Sequence, residues 1–177
     1  FVRNQARRAG LCAVFPAGCI TVGRAGEQLA PLGELAAAGV TMFTDDGNGV
    51  QDPALMRRAL EYAGPLGVVL AQHCEVASLT KGAVMHEGSC CSHLGLPGWP
   101  ALAEELMVHR DIELSRLTGS PVHLLHLSTT RSVDLVRAAR ADGLRVTAEA
   151  APHHFALTDE ALRSFDAVFK VNPPLRT

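Results

Sequence analysis

Short apolar runs alternate with amphipathic, capped segments along this chain. Leu11 to Phe15, Val40 to Thr44, Gly67 to Gln72, Val122 to His126, Leu144 to Ala148 and Ala167 to Val171 have the length and content of buried strands. Leu32 to Ala38 reads as a short helix stopped by Gly39. Asp52-Pro53 opens another, with Asp as N-cap and Pro at the first helical position. Its apolar stripe is Leu55, Ala59, Leu60 and Ala63, and Gly64 ends it. Pro100 begins a long helix through about Leu117, closed by Gly119. Thr129 or Thr130 caps a helix carrying Val133, Leu135, Val136 and Ala139 on one side, with Gly143 at its end. Thr158 caps a last short helix. Ala77 to Trp99, with its Gly, Ser, Cys and His, shows no period and is expected to be irregular. No internal repeat or low-complexity tract is present.

Strands alternating with helices predict a parallel sheet with crossover connections. An open doubly wound sheet and part of a (β/α)8 barrel share this local pattern. A nucleotide-binding sheet should carry a glycine-rich loop after a strand, and none is found. The runs end instead in Asp45-Asp46-Gly47, His73 and His126, and in a barrel such ends lie on one rim. That favours a barrel-type metal site.

Composition narrows the class. The 177 residues are 47% hydrophobic, with net charge −2 and a mean hydropathy of +0.14. This suits one globular domain with a real core. No apolar run is long enough for a membrane helix. No Lys/Arg cluster marks a nucleic-acid footprint, so neither nucleic acid nor membrane is expected as a partner. The five cysteines, Cys12, Cys19, Cys74, Cys90 and Cys91, include a vicinal pair and no CxxC. An odd count without such spacing argues against a disulfide framework and for a reducing, cytoplasmic setting.

Each candidate has a plainer reading beside the chemical one. Asp-Gly after a strand is common turn chemistry, yet Asp46 could supply a hard oxygen ligand. His73, after a buried strand, needs a partner for each ring nitrogen. A metal could be one, and Glu75 could orient the ring. His123 and His126 should face opposite ways on a strand. His126, nearer the C-terminal end, is the better ligand candidate, and His123 the structural residue. Adjacent His153 and His154 are expected to be mainly structural. His86, His93 and His109 read as surface or packing residues, and Cys74 as pointing away from the site. Asn172, before Pro173-Pro174, is either a turn residue or an amide facing a substrate imide or carboxylate. No Cys-His nucleophile pair or Gly-x-Ser-x-Gly elbow occurs.

Five segments taken in order carry a resemblance. They are Phe43-Thr44-Asp45-Asp46-Gly47, Ala71-Gln72-His73-Cys74-Glu75, His123-Leu124-Leu125-His126-Leu127-Ser128-Thr129, Thr147-Ala148-Glu149-Ala150-Ala151-Pro152-His153-His154 and Lys170-Val171-Asn172-Pro173-Pro174-Leu175-Arg176. Together the sequence resembles the class I bacterial dihydroorotases of the amidohydrolase superfamily. The resemblance implies a partial (β/α)8 TIM-type barrel, roughly its third to seventh strands. Residues 1–177 would be the central part of one such domain, cut at both ends. It implies a binuclear site of two Zn2+, with Asp46 bridging, His73 and His126 on one zinc, and Asn172 at the substrate. The family's first-strand His-x-His-x-Arg and eighth-strand Asp-His-Ala-Pro have no counterpart here, so the general-base Asp is expected beyond Thr177 and the chain alone should be inactive. The implied reaction is reversible hydrolysis of L-dihydroorotate to N-carbamoyl-L-aspartate, in de novo pyrimidine synthesis. A homodimer or aspartate transcarbamoylase would be the protein partner. Alternatives are a hydantoinase (dihydropyrimidinase) or allantoinase, disfavoured by Asp rather than Lys at 46, and a non-catalytic subunit that scaffolds aspartate transcarbamoylase.

Overall fold

The computed structural model describes residues 1–177. Four short strands form one parallel sheet: β1 (Met42–Thr44), β2 (Val69–Gln72), β3 (Val122–Leu124) and β4 (Val146–Ala148), in that spatial order. Helices fill the crossovers. The helix Pro53–Leu66 joins β1 to β2, Leu102–Thr118 precedes β3, and Thr130–Ala141 joins β3 to β4. This βα succession in a single parallel sheet is the pattern of an arc of a (β/α)8 barrel. No helix is long and apolar enough to cross a membrane.

Register divides the side chains between two faces. Phe43, Leu70, Val122 and Val146 stand level across the sheet, and all four are buried toward the helices. They join Leu55, Met56, Leu60, Met107, Val108, Ile112, Val136 and Ala139 in one core. The next level, Thr44, Ala71, His123 and Thr147, faces the opposite side. Caps fix where the helices begin. Asp52 accepts from the Ala54 and Leu55 amides at 2.7 and 3.2 Å, and Thr129 from Ser132 at 3.2 Å.

Several sequence expectations are corrected. Leu11 to Phe15 is not a strand: Leu11 and Phe15 are exposed, and the segment that reaches β1 is Gly18, bridged to Phe43. Gly18 suits that approach because a Cβ there would lie 2.7 Å from the Phe43 ring. Before it, Val2–Ala9 is a helix. Ala167 to Val171 is not a strand either. The Asp166 carboxylate accepts from the Val168 amide at 3.0 Å and starts a 3-10 turn over Ala167–Phe169. The Pro53 helix runs through Gly64 and Pro65 to Leu66 and ends on Gly67, whose φ is +69°. The stretch Ala77 to Trp99 is ordered, with two short helices and a two-stranded pair, Met85–His86 with Gly98–Trp99. It packs Met85, Cys90 and Cys91 against Leu162 and Leu175 in a second small core.

Beneath β2 lies a buried charge. Asp111 is fully buried, and Arg110 Nε donates to its Oδ1 at 2.9 Å. Burial pushes this carboxyl up to about 6, against the opposing pull of Arg110 and Gln72. The native state therefore keeps a proton at pH values where the unfolded chain, with a carboxyl pKa near 4, has released it. Its destabilising effect is absent below about pH 4 and complete above about pH 6. Asp111→Asn, neutral throughout, should gain on the parent in thermal unfolding between pH 4 and 7, by up to about 3 kcal/mol. A difference that stays constant with pH would contradict this.

Candidate metal centre

The sheet register delivers the candidate ligands to one rim. Asp46 and His73 each lie two residues beyond the level set by Thr44 and Ala71, whereas His126 lies three beyond His123. Strand alternation would send a residue at that offset to the wrong face. One extra residue corrects the parity. The Val122 amide donates to the Arg145 carbonyl, and Glu149 donates back to Leu124, so a regular ladder would next join residue 126 to Glu149. Instead Leu127 makes that bond, at 2.8 Å. His126 is bulged out at φ +35°, in the left-handed region. Bulges re-aim side chains in this way.

The two aspartates of Asp-Asp-Gly divide their work. Asp45 is fully buried and accepts from the amides of Ile20 (2.9 Å) and Thr21 (3.1 Å) and from the Thr21 hydroxyl, which fixes the turn. Asp46 is left to face the rim. Gln72 grips the following loop, accepting from the Val50 amide at 3.1 Å and donating to its carbonyl at 3.2 Å. Gly49, at φ +62°, passes so close that a Cβ would sit 2.5 Å from the His73 carbonyl oxygen.

These supports bring three atoms together. His73 Nδ1 lies 3.1 Å from His126 Nε2, His126 Nε2 lies 3.1 Å from Asp46 Oδ1, and His73 Nδ1 lies 3.3 Å from Asp46 Oδ1. A tetrahedral zinc with bonds of 2.0–2.1 Å holds its ligand atoms about 3.3 Å apart. The triangle therefore has the size of one face of such an ion's shell. The three side chains form a group able to hold a metal ion.

The ring orientation of His73 is set by Glu75. Its Nε2 lies 2.7 Å from Glu75 Oε2, and Thr80 donates to the other carboxylate oxygen. Burial works to raise the Glu75 carboxyl, but hydrogen bonds from His73, Thr80 and Asn172 together outweigh it and hold it below its ordinary range. An ionised carboxylate only accepts. Nε2 therefore carries a proton, and the ring is turned so that Nδ1 faces His126 and Asp46. Burial likewise pushes Asp46 upward, and the neighbouring histidines, His126 first, bring it below its usual value.

The other candidates fall around this trio. Asn172 is exposed, close enough to Glu75 to help lower its carboxyl. His123 stays apart, 2.8 Å from the Thr147 hydroxyl and 3.3 Å from Glu149. His154 bonds to the Pro173 carbonyl at 3.1 Å and stacks near His153, at 4.3 Å between centroids. The Cys74 thiol is buried away from the trio and contacts the Gln72 carbonyl; burial, with Asp111 and Glu104 nearby, pushes it well up. His86, read as a packing residue, takes a 3.0 Å hydrogen bond with Arg176. Sequence reasoning passed over Gly49, Gln72, Thr80 and Glu104. A glycine two residues after Asp-Gly was the only signal for the first; a polar Gln inside an apolar run was the signal for the second.

A protein-family model described as dihydro-orotase-like matches residues 1–132. The chain belongs to that family. The dihydroorotase of Pelotomaculum thermopropionicum is 56% identical over 168 residues, spanning 95% of this chain and 39% of that protein. That of Streptomyces coelicolor is 53% identical over 173 residues, 97% of this chain and 40% of the relative. The chain thus spans about two fifths of the length of these dihydroorotases. Among solved structures, the L-hydantoinase (dihydropyrimidinase) from Arthrobacter aurescens superposes with a TM-score of 0.75 over 98% of this chain and 41% of that one, at 20% identity. That likeness shows the shared barrel fold.

The Glu75 contact predicts the tautomer of a buried ring. Nitrogen-15 spectra of the imidazoles in the metal-free protein should show His73 protonated at Nε2. Glu75→Gln, whose amide can donate as well as accept, should mix the tautomers. An unchanged His73 signal in the variant would remove Glu75 from this role.

Proposed function

We propose that this chain is the central part of a dihydroorotase barrel and supplies half of its binuclear zinc centre. The observation that carries this reading is the triangle of Asp46 Oδ1, His73 Nδ1 and His126 Nε2 in a chain 56% identical to a dihydroorotase. In this reading His73 and His126 would hold zinc through their ring nitrogens, and Asp46 would add a carboxylate oxygen to the same centre. The remaining ligands and the proton-shuttling Asp have no counterpart among residues 1–177 and come from elsewhere in the barrel. The reaction is the reversible hydrolysis of L-dihydroorotate to N-carbamoyl-L-aspartate, a step of pyrimidine synthesis in the cytoplasm. Association with a second copy, or with aspartate transcarbamoylase, belongs to the same reading.

The chain's own residues have definable tasks. Bound zinc supplies Lewis acidity, polarising the ring amide and making water nucleophilic near neutral pH. Asp46 places negative charge where two dications would otherwise repel. His73, oriented by its Nε2–H bond to Glu75, presents Nδ1 to the position a metal would take. The Asn172 amide offers a donor and an acceptor to the imide edge of the substrate ring.

The hydantoinase alternative has less support, because likenesses of 20% to 24% identity carry the fold alone. In the full-length protein, Asp46→Ala and His73→Ala should each lose bound zinc and dihydroorotate hydrolysis together, by at least about a hundredfold in rate. Either variant with full metal content and full activity would sink the assignment. The parent should turn over dihydroorotate in preference to hydantoin and allantoin; the reverse preference would move it to the alternative.

A further inference from the structure

We infer that Glu104, which touches none of the three ligands, is the residue that positions His126. The inference rests on the reading of Asp46, His73 and His126 as a metal site. Glu104 lies on the helix Leu102–Thr118, and only 2% of it is exposed. Its Oε1 accepts from the Ser128 amide, the Thr129 amide and the Thr129 hydroxyl, each at 3.1 Å. Its Oε2 accepts from the same Ser128 amide at 3.1 Å and from the Ser128 hydroxyl. All of these donors belong to the two residues that complete the turn after His126.

Such an arrangement needs a reason. A carboxylate withdrawn from water is costly, and the same helix packs Met107, Val108 and Ile112 into the core and buries Ala103, so an apolar side chain would suit its surroundings. No Lys or Arg is within salt-bridge range of Glu104; the buried Arg176 guanidinium attracts it through space and donates to the Ser128 hydroxyl at 3.1 Å. The turn explains the carboxylate. His126 sits at φ +35°, a region that a residue with a Cβ holds only when its surroundings over-determine it. The Leu125 amide is pinned to the Gln72 carbonyl and the Leu127 amide to Glu149, at 3.0 and 2.8 Å. Glu104 supplies the other two pins, at Ser128 and Thr129. Without them the turn is free to relax toward regular strand geometry, which carries His126 Nε2 away from Asp46 and His73. The Arg176–Ser128 bond links the same turn to the segment that carries Asn172, so metal ligand and substrate amide share one anchor.

A carboxylate that merely helps to start the helix after Thr129 would affect folding and leave metal affinity alone. The test therefore separates the two. In the full-length protein, the zinc dissociation constant is measured by competition with a chromophoric chelator, beside the thermal midpoint of the metal-free form. Glu104→Gln keeps the size but sets an amide NH2 against donors in the turn. It should weaken zinc binding about 10- to 100-fold, the range seen when supporting partners of metal ligands are lost. Glu104→Asp, with the charge restored but shortened, should recover part of it. Ser128→Ala, which removes one neutral partner, should weaken zinc in the same direction by a smaller factor and serves as the deciding variant if Glu104→Gln does not fold. Parental zinc affinity in Glu104→Gln or, where that variant fails to fold, in Ser128→Ala overturns the inference while leaving the metal site intact. A parent protein that binds no zinc, or a His126→Ala variant that binds it fully, overturns the site reading and this inference with it.

Discussion

The parallel register of the four strands is the constraint from which the rest follows. Once Phe43, Leu70, Val122 and Val146 are level and buried against the helices, the next residues of each strand face the other way, and the strand ends share one rim. A slip of a single position would turn the core residues outward and scatter Asp46, His73 and His126. Burial of four large side chains at one level, each worth about 1.5–3 kcal/mol, makes such a slip expensive. The site is thus a consequence of core packing before any ligand is considered.

Register alone brings only two of the three groups into place. Asp46 and His73 follow strand parity, and His126 violates it. The bulge at His126 corrects the violation, and a group of polar side chains behind the rim keeps the correction fixed. Gln72 ties the Asp46 loop to the strand that bears His73, Asp45 ties it to Ile20 and Thr21, and Glu75 sets the His73 ring. These side chains sit where an apolar residue would pack more cheaply. Each has its hydrogen bonds made: Gln72 with the Val50 backbone, Asp45 with the Ile20 and Thr21 amides, and Glu75 with the His73 ring and the Thr80 hydroxyl, which is why the fold tolerates them.

Much of the sheet was legible in the sequence because its strands are apolar runs bounded by strong signals. Asp52-Pro53 and Thr129 marked helix starts, and Gly119 and Gly143 marked ends or their near neighbours. Leu11 to Phe15 and Ala167 to Val171 failed for a common reason. Each is apolar enough for a strand, but periodicity cannot report whether a neighbouring strand has space for it, and in the second case the Asp166 side chain offered the backbone a competing bond. The ligand candidates Asp46, His73 and His126 could be picked from the ends of the runs. The bulge that aims His126 was invisible, since it depends on which amide reaches Glu149. Glu104 was hidden by its position in a helix stripe, where a glutamate reads as a surface residue.

The most direct measurement is an anomalous difference map at the zinc edge from crystals of the full-length protein. The account predicts a peak about 2.0–2.2 Å from His73 Nδ1, His126 Nε2 and an Asp46 oxygen, with Glu75 still bonded to His73 Nε2. A map without a peak at this triangle, or a zinc held by other residues while these three remain bonded to one another, would contradict it.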